Sequence, residues 1–261
     1  MPKDGYPPVP SATERFNNWH GKLSATPSPT FTVEQPLLFL HVHKTGGTTL
    51  VNQIEAACGI RETQGVYSHR ERLRDRVKRY QAEAAVTPGK RVYYGHMYYG
   101  IHQALGVPPT YATFLREPCS RAWSHHGHGN RGRRSEGRPE VSVEESVAAG
   151  ETHLDNLQTR LISGFRSVPF GELNPNHLKI AKANLADFVF AGILERKAES
   201  LQLFGSLLQT EISMDWQINV APTKPGGSTP SSAEAELISE HNQFDQALYA
   251  FASELLDARL K

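Results

Sequence analysis

Short apolar runs alternate along this chain with stretches in which apolar residues recur every three or four positions. The short runs predict four β-strands, at residues 37–42, 91–95, 111–115 and 187–193. The longer pattern predicts helices that follow residue 50 and lie at 70–85, 119–126, 143–149, 152–163, 176–185, 196–209 and 233–260. Strands that alternate with helices in this way predict a three-layer α/β/α fold with a mainly parallel central sheet.

The remaining segments predict how the chain is divided. Residues 1–35 are rich in Pro, Ser and Thr and lack sustained periodicity, which predicts an irregular N-terminal arm. Residues 36–261 are then expected to form one domain, since a chain of 261 residues suffices for one large α/β domain. Within that domain, the stretches 127–139 and 221–230 predict loops.

Composition narrows the class of protein. Hydrophobic residues at 38% and charged residues at 21% are typical of a soluble globular enzyme, and a net charge of +1 argues against a dedicated nucleic-acid binder. No apolar run approaches the roughly 20 residues that span a bilayer, and the N-terminus lacks the apolar core of a signal peptide. Two cysteines, Cys58 and Cys119, do not imply a disulfide framework. We therefore expect a cytoplasmic protein with no transmembrane segment and no nucleic-acid partner; the sequence leaves its oligomeric state open.

The first predicted strand runs into a segment suited to binding an anion. A strand, a tight glycine turn and a helix start bring backbone N–H groups and the positive end of the helix dipole together. Gly46 and Gly47 allow a close approach of the backbone, and Lys44 adds a positive charge. Hydroxyl donors come from Thr45, Thr48 and Thr49. The segment predicts a phosphate-binding loop, although Lys44 precedes both glycines, whereas in G-x-x-x-x-G-K-[ST] the lysine follows the second glycine.

A second anion anchor is predicted where the third strand ends. Arg116 follows that strand, and Ser124 follows Arg116 by eight positions, two turns into the next helix. Ligands of open α/β sheets bind beyond the carboxyl ends of strands. An arginine there can donate two parallel hydrogen bonds to one anion. Taken alone, the segment fits an ion-paired arginine and an ordinary helical serine equally well. Its combination with the Lys44 loop favours the anchor.

A histidine follows the strand between these two anchors. His96 comes directly after Gly95, which ends the second predicted strand, and therefore lies at the same sheet edge. An imidazole has an unperturbed pKa of about 6.5 and can accept a hydroxyl proton near neutral pH. The alternative is a histidine that is satisfied by a neighbouring carbonyl. Tyr98 and Tyr99, which follow, either line an acceptor groove or belong to the core.

These three segments resemble those of sulfotransferases. The sequence K-T-G-G-T-T at 44–49 is similar to their 5′-phosphosulfate-binding loop, and most similar to the carbohydrate-type family that includes heparan sulfate 2-O-sulfotransferase. That family's loop commonly reads P-K-T-G-G-T-S, so His43 replaces its proline. Arg116 and Ser124 match its 3′-phosphate motif, and His96 matches the histidine that is its presumed general base. The resemblance extends from about residue 37 to 258.

Two further blocks resemble the same family. The block D-N-L-Q-T-R at 155–160 contains Asp155, Asn156 and Arg160, which either face the acceptor or fix helix packing through buried hydrogen bonds. A late segment corresponds to the family's loop that closes over the nucleotide. Its Thr223 and Lys224 either contact a phosphate or lie in a solvent loop.

The resemblance implies a P-loop nucleotide-hydrolase-like sulfotransferase fold and 3′-phosphoadenosine 5′-phosphosulfate (PAPS) as sulfuryl donor. The acceptor is expected to be a hydroxyl of a carbohydrate, a glycolipid or a small hydroxylated metabolite. His96 is expected to act as general base in an in-line transfer, and Lys44 to stabilise charge on the departing phosphate, with 3′-phosphoadenosine 5′-phosphate (PAP) as product.

Other features support alternative functions. A P-loop kinase needs an acidic metal ligand at a strand end, for which Glu117 is a weak candidate. A nucleotide- or polyanion-binding module could use the four arginines between residues 131 and 138 to bind its ligand. The alternative is that these arginines lie on a solvent-exposed loop and have no binding role. His125, His126 and His128 lack the spacing of a metal site, and we expect no metal.

Overall fold

A five-stranded sheet forms the centre of the computed structural model, which describes residues 35–66, 90–210, 212 and 229–261. Its strands are β1 (Leu37–Leu40), β2 (Thr63–Val66), β3 (Val92–Gly95), β4 (Tyr111–Leu115) and β5 (Phe190–Ile193). Their order is β2-β3-β1-β4-β5, and every neighbouring pair is parallel. The four predicted strands are therefore confirmed as parts of one parallel sheet. The edge strand β2 was missed, because Thr-Gln-Gly-Val forms no apolar run.

The described residues also contain nine α-helices. They are α1 (Gly47–Cys58), α2 (Ile101–Leu105), α3 (Pro118–Ser135), α4 (Val143–Ala148), α5 (Leu157–Ser163), α6 (Pro175–Asp187), α7 (Lys197–Leu208), α8 (Ser232–Glu240) and α9 (Gln243–Leu260). The sequence pattern missed α2, because a helix of five residues is too short to show a period. No described helix combines the length and the apolar character needed to cross a membrane.

Alternate residues of β1 point to opposite layers of helices. Leu37 and Phe39 pack in a core cluster with residues of α1 and α7, among them Phe204. Leu38 and Leu40 pack in a second cluster with residues of α5, α6 and α9. Because a strand turns successive side chains to opposite faces, a four-residue buried run serves both cores. The structure thus confirms the predicted three-layer α/β/α fold.

The predicted loop at 127–139 is wrong for its first nine residues, since α3 continues to Ser135, and only residues 136–139 lie outside a helix. Glycines at 127, 129 and 132 lower helix propensity and suggested a loop. Tertiary contacts override that propensity. The Asn130 side chain exchanges two hydrogen bonds with the backbone of Val141, at 3.1 and 2.9 Å, which ties the far half of α3 to the next segment. The carboxylate of Glu117 caps the start of α3 by accepting bonds from Cys119 and Ser120 N–H.

Two predicted helices are interrupted where they meet. The 152–163 prediction splits into a 3₁₀ turn at Thr152–Leu154 and α5, and the 233–260 prediction splits into α8 and α9. Asn156 adopts φ 47° before α5, and its side-chain oxygen accepts bonds from the first N–H groups near the start of α9, including that of Asp245 at 3.0 Å. The carboxylate of Asp245 in turn accepts from Gln158 and Thr159 N–H at 3.0 and 2.7 Å. Each helix therefore caps the other, a long-range arrangement that local periodicity does not encode.

Several predictions lie outside the described residues. They are the N-terminal arm, the helix at 70–85 and, apart from its last two residues, the loop at 221–230.

Candidate functional site

The carboxyl edge of the sheet has a crevice between β1 and β4. The chain leaves β1 towards β2 at one end of the sheet, and it leaves β4 towards β5 at the other end. Adjacent strands whose connections diverge leave an opening between them, and such openings are where open α/β sheets bind ligands. Lys44 follows β1 and Arg116 follows β4, so the two predicted anion anchors flank this crevice. His96 follows β3 on the other side of β1.

The loop between β1 and α1 has the backbone conformation of an anion cradle. Lys44 has φ 70° and Gly46 has φ 79°, and α1 begins at Gly47 with no side chain capping it. Left-handed φ is uncommon for a lysine and costs nothing at a glycine. The first N–H groups of a helix have no acceptor within the helix, so an uncapped α1 presents donors and the positive end of its dipole to the crevice.

The structure revises the role of the first of the three threonines, Thr45. The hydroxyl of Thr45 donates to the carbonyl of Val42 at 2.8 Å and is buried, so it fixes the turn instead of facing a phosphate. Its backbone N–H is then what Thr45 can offer to an anion. Thr49 is also buried, and the side chain of Thr48 lies outside the described part.

The ring of His41 requires a glycine at position 47. A Cβ at this position would lie 1.6 Å from Nε2 of His41, so the imidazole fills the space over the start of α1. Burial lowers the pKa of His41 to about 3, and the neighbouring His96 and Lys44 add to that effect. His41 is therefore neutral at physiological pH and packs against the loop without adding charge.

Three cations meet at the crevice. Nη1 of Arg116 donates to the carbonyl of Lys44 at 3.1 Å, which joins the two anchors directly. Burial lowers the pKa of Lys44, and the charges of Arg131 and Arg116 lower it further. The carboxylate of Glu195 lies 4.0 Å from Nε of Arg116, the outer limit of an ion pair, on two partly exposed side chains. An anion bound here would offset the repulsion between Lys44 and the two arginines, which the carboxylates of Glu195 and Glu117 counter at Arg116.

The backbone of Arg116 is held on both sides by one buried side chain. Its N–H donates to Oε1 of Gln158 and its carbonyl accepts from Nε2 of Gln158, each at 3.0 Å. Gln158 stands at the start of α5, where Asp245 caps the helix. The D-N-L-Q-T-R block therefore acts on the site through Gln158, which fixes the peptide that carries the Arg116 side chain. The resemblance included Gln158 in this block, but the sequence did not predict its contact with the backbone of Arg116.

The other polar residues of that block form buried hydrogen bonds that hold neighbouring segments together. Arg160 is fully buried and pairs with the Asp155 carboxylate, while its Nε donates to the Asp155 carbonyl at 2.7 Å and its Nη2 to the Pro169 carbonyl at 2.9 Å. Asn156 caps α9 as described. Of the two alternatives drawn from the sequence, helix packing through buried hydrogen bonds is the one observed for Asp155, Asn156 and Arg160.

Tyr98 and Tyr99, which the sequence assigned either to an acceptor groove or to the core, pack against the core. The ring of Tyr99 lies tilted against Tyr111 at 5.1 Å and stacks with Phe188 at 6.2 Å. The backbone N–H of Tyr99 donates to the carbonyl of Leu161 at 2.8 Å. Tyr98 is half-buried against the same core. Both therefore belong to the core layer. Thr223 and Lys224 lie outside the described residues.

His96 is oriented by a hydrogen bond to the neighbouring strand end. Its Nδ1 lies 3.0 Å from the carbonyl oxygen of His41. Because a carbonyl only accepts, this contact assigns the proton to Nδ1 and leaves Nε2 as the basic nitrogen. From the sequence, the alternative explanation for this histidine was a neighbouring carbonyl, and such a carbonyl is present. Its hydrogen bond to Nδ1 is also compatible with a role as general base, because Nε2 keeps the lone pair that accepts a proton.

His96 begins a column of four imidazoles that the sequence did not predict. Successive ring centroids are 3.6 Å apart from His96 to His43, 5.1 Å from His43 to His125 and 4.7 Å from His125 to His153. We call these residues the histidine column. Burial, followed by neighbouring histidines, lowers the pKa of His43 far below its ordinary value and that of His125 to about 2. The four rings come from four separate segments of the chain, so local spacing carries no signal of the column.

Burial also keeps the last histidine of the column neutral. Glu151 lies 3.3 Å from Nδ1 of His153 and favours the charged ring, but burial and the charge of Arg121 lower its pKa to about 4. Arg121 itself is fully buried on α3 and donates from Nη2 to the His153 carbonyl at 2.7 Å. Burial lowers the pKa of Arg121 to about 10, although Asp245 opposes that shift, so it stays charged behind the column.

Acid is expected to destabilise the protein through these histidines. His41, His125 and His153 have folded-state pKa values below the ordinary 6.5, so protons bind the unfolded chain first as the pH falls below 6.5. Their stabilising contribution is complete above 6.5 and is lost as the pH falls towards their folded values. Between pH 7 and 5.5 we expect the free energy of unfolding, measured with denaturant, to fall by up to about 4 kcal/mol, which is roughly 1.2 kcal/mol for each of the three rings. His153→Asn should make that fall shallower; an unchanged slope would contradict the assignment.

Neither the protein-family models nor the curated proteins compared with this chain give a match. Among the residues that the structure describes, no three His, Cys, Asp or Glu side chains are grouped so that they could hold a metal ion. The chemistry of the site must therefore be argued from its own groups. They are a cationic crevice with a backbone cradle and a histidine, His96, whose Nδ1 donates to a carbonyl, so that Nε2 is the nitrogen that can take up a proton.

Proposed function

We propose that this protein is a sulfotransferase that uses PAPS as donor and a hydroxyl group as acceptor. The observation that carries the proposal is the meeting of Lys44, Arg116 and an oriented His96 at one sheet edge, with the arginine bonded to the lysine's own carbonyl. Two anion anchors on either side of the β1–β4 crevice suit a donor with phosphates at both its 5′ and 3′ positions. The resemblance of the loop, strand-end and Gly-His segments to sulfotransferases supports the same conclusion.

Each group then has a defined task. Nε2 of His96 takes the proton of the acceptor hydroxyl while that oxygen forms a bond to sulfur and the bond from sulfur to the 5′-phosphate oxygen breaks. Lys44 and the N–H groups at the start of α1 stabilise the negative charge that grows on the departing phosphate. Arg116 and Ser124 hold the 3′-phosphate and so fix the donor along the crevice. A sulfuryl group carries less charge than a phosphoryl group, so this transfer does not require a divalent metal clamp.

The structure does not narrow the class of acceptor that the resemblance implies. It is a hydroxyl of a carbohydrate, a glycolipid or a small hydroxylated metabolite, since acceptor-binding residues lie on variable loops. Thr223 and Lys224 are proposed as phosphate contacts on the resemblance alone. Cys58 and Cys119 are both free thiols, which suits the reducing cytoplasm that we propose as its location.

The kinase alternative is less well supported. It needs a carboxylate at the strand end to hold a metal, and the carboxylate of Glu117 is committed to the N–H groups of Cys119 and Ser120 at the start of α3. A simple polyanion-binding module is also less well supported, because in the basic segment the side chains of Arg134 and Arg138 are paired with Glu140 and Glu136. Neither alternative gives the oriented His96 a task at this sheet edge.

Calorimetry with PAP and AMP tests the proposal. The parental protein should bind PAP more tightly than AMP, and Arg116→Ala or Ser124→Ala should erase that preference, since a charge-assisted contact to phosphate contributes roughly 1.5–3 kcal/mol. Arg134→Ala is the matched control, because Arg134 lies on the same helix as Ser124 but is paired with Glu140 at the far end. Unchanged discrimination in both site variants would exclude the 3′-phosphate assignment, and equal binding of PAP and AMP by the parent would exclude the proposed donor.

A further inference from the structure

We propose that His43 is a positioning residue for the reaction: its neutral ring holds the plane of the His96 ring and lies against the imidazolium that forms when His96 takes a proton. The inference rests on the proposed function for its role in catalysis, while the contact itself is a property of the unliganded protein. It concerns a residue at which this chain differs from the loop that it resembles, where a proline offers no aromatic face.

The geometry leaves His96 few orientations. The rings of His43 and His96 are 3.6 Å apart at an interplanar angle of 10°, which is a stacked arrangement. The edge of His96 is fixed separately by the contact of Nδ1 with the His41 carbonyl at 3.0 Å. One face and one edge of the ring are therefore held by two residues of the same β1–α1 segment. Nε2 can then point to the acceptor without a search over ring rotamers.

His43 is itself supported from behind. His125 on α3 stacks on it at 5.1 Å with an interplanar angle of 11°, so His43 is held in the middle of three nearly parallel rings. Nδ1 of His43 is buried and has no hydrogen-bond partner in the part of the chain that is described. A buried imidazole nitrogen without a partner costs stability, so hydrogen bonding through Nδ1 does not explain why a histidine stands here. The stacking is therefore the interaction that this side chain supplies.

The charge state of His43 suits this task. The titratable and charged groups that face the pair are His41 and Lys44 from the same segment, His125 and Arg121 from α3, and, behind His125, His153. Burial, then His96, His125, His41 and Arg121, lower the pKa of His43, so it stays neutral when His96 becomes charged. A neutral aromatic face attracts a cation, whereas a protonated ring would repel it.

The test compares a ring with an aliphatic side chain of similar size at position 43. The imidazole resonances of the full-length protein are titrated by NMR in the parent, His43→Phe and His43→Leu, with His96 assigned from the spectrum of His96→Asn. His43→Leu should lower the titration midpoint of His96 by about half a pH unit, because the charged ring loses its aromatic neighbour. His43→Phe should stay within a few tenths of the parent. Equal midpoints in the two variants would overturn the proposal.

Two further measurements keep the outcomes separate. If neither variant folds, cross-relaxation between ring protons of His43 and His96 in the unmodified protein decides the matter, and its absence would overturn the stack. In turnover assays His43→Leu should lower kcat several-fold and leave PAP affinity unchanged, and His43→Phe should restore most of that kcat. A merely structural role for His43 would move Tm and PAP binding together. The NMR result does not depend on sulfuryl transfer, whereas a failure to bind PAP over AMP would reject the proposed function alone.

Discussion

Replacing Lys44 by alanine is expected to lower sulfuryl-transfer turnover by about 10²-fold or more, which is the usual cost of removing one preorganised donor. PAP binding should weaken far less. The reason is that Lys44 meets charge that grows on the departing phosphate, so its contribution is larger in the transition state than in the bound ground state. The lowered pKa of Lys44, caused first by burial and then by Arg131 and Arg116, shows that this ammonium lies in a confined, cationic place.

The left-handed backbone at this position makes alanine a clean choice. Lys44 has φ 70°, a conformation that alanine disfavours as lysine does, so the substitution removes the charge without relieving strain. Lys44→Gly would instead relax the backbone and mix two effects. Lys179→Ala, on the exposed side of α6, is the control for loss of a lysine elsewhere. Turnover of Lys44→Ala within about threefold of the parent would show that the assigned role is wrong.

The sheet and the order of the anchors could be predicted because both depend on local pattern. The apolar run that begins at Leu37 is buried on both faces, and such a run in a parallel sheet needs no alternation to be recognised. Once the strands were in place, Lys44, His96 and Arg116 had to share an edge, since each follows the carboxyl end of a parallel strand. The order of strands and helices in the sequence was therefore enough to predict that these three residues lie at the same edge of the sheet.

The supporting interactions could not be predicted, because they join residues far apart in the chain. Gln158 and Arg116 are 42 positions apart, and Asn156 and Asp245 are 89 positions apart. In sequence, a buried amide that clamps a strand end looks the same as one that faces a substrate. The helix predicted at 119–126 is present, but the loop predicted after it was wrong for a related reason. Asn130 stabilises the glycine-containing half of α3 through a contact with Val141 that has no periodic signature.

The histidine column is the part of the site that sequence reasoning most clearly missed. His43 and His96 come from different strand ends, and His125 and His153 from a helix and a turn further along. The neighbouring His125 and His126 were considered only as a metal motif, yet burial and mutual repulsion hold His125 neutral with its ring facing His43. Adjacent histidines on a helix point in different directions, so their spacing gave no indication of the stack.

Replacing His96 by asparagine is expected to leave folding and PAP binding unchanged and to lower sulfuryl transfer by about 10²–10⁴-fold, the usual contribution of a positioned base. Asparagine can still donate to the His41 carbonyl, which now accepts from Nδ1 at 3.0 Å, but it cannot take up a proton. The parental rate should fall with acidification, because the neutral imidazole is the active form and protonation removes it. The rate of the asparagine variant should lack that acid limb. Slow hydrolysis of PAPS serves as the readout until an acceptor is found.

If His96→Asn kept the parental rate and pH profile, another group would have to be the base. The two nearest histidines in sequence are His43 and His102, and the structure favours His43. His102 is buried, and its Nδ1 lies 2.9 Å from the hydroxyl of Tyr111 in the aromatic core beneath α2. His43 lies against His96 itself, at 3.6 Å between ring centroids, and next to the Lys44 loop. His43→Asn should then abolish the acid limb and His102→Asn should not. In the mechanism proposed here neither substitution removes the acid limb, because both leave the basic nitrogen of His96 in place.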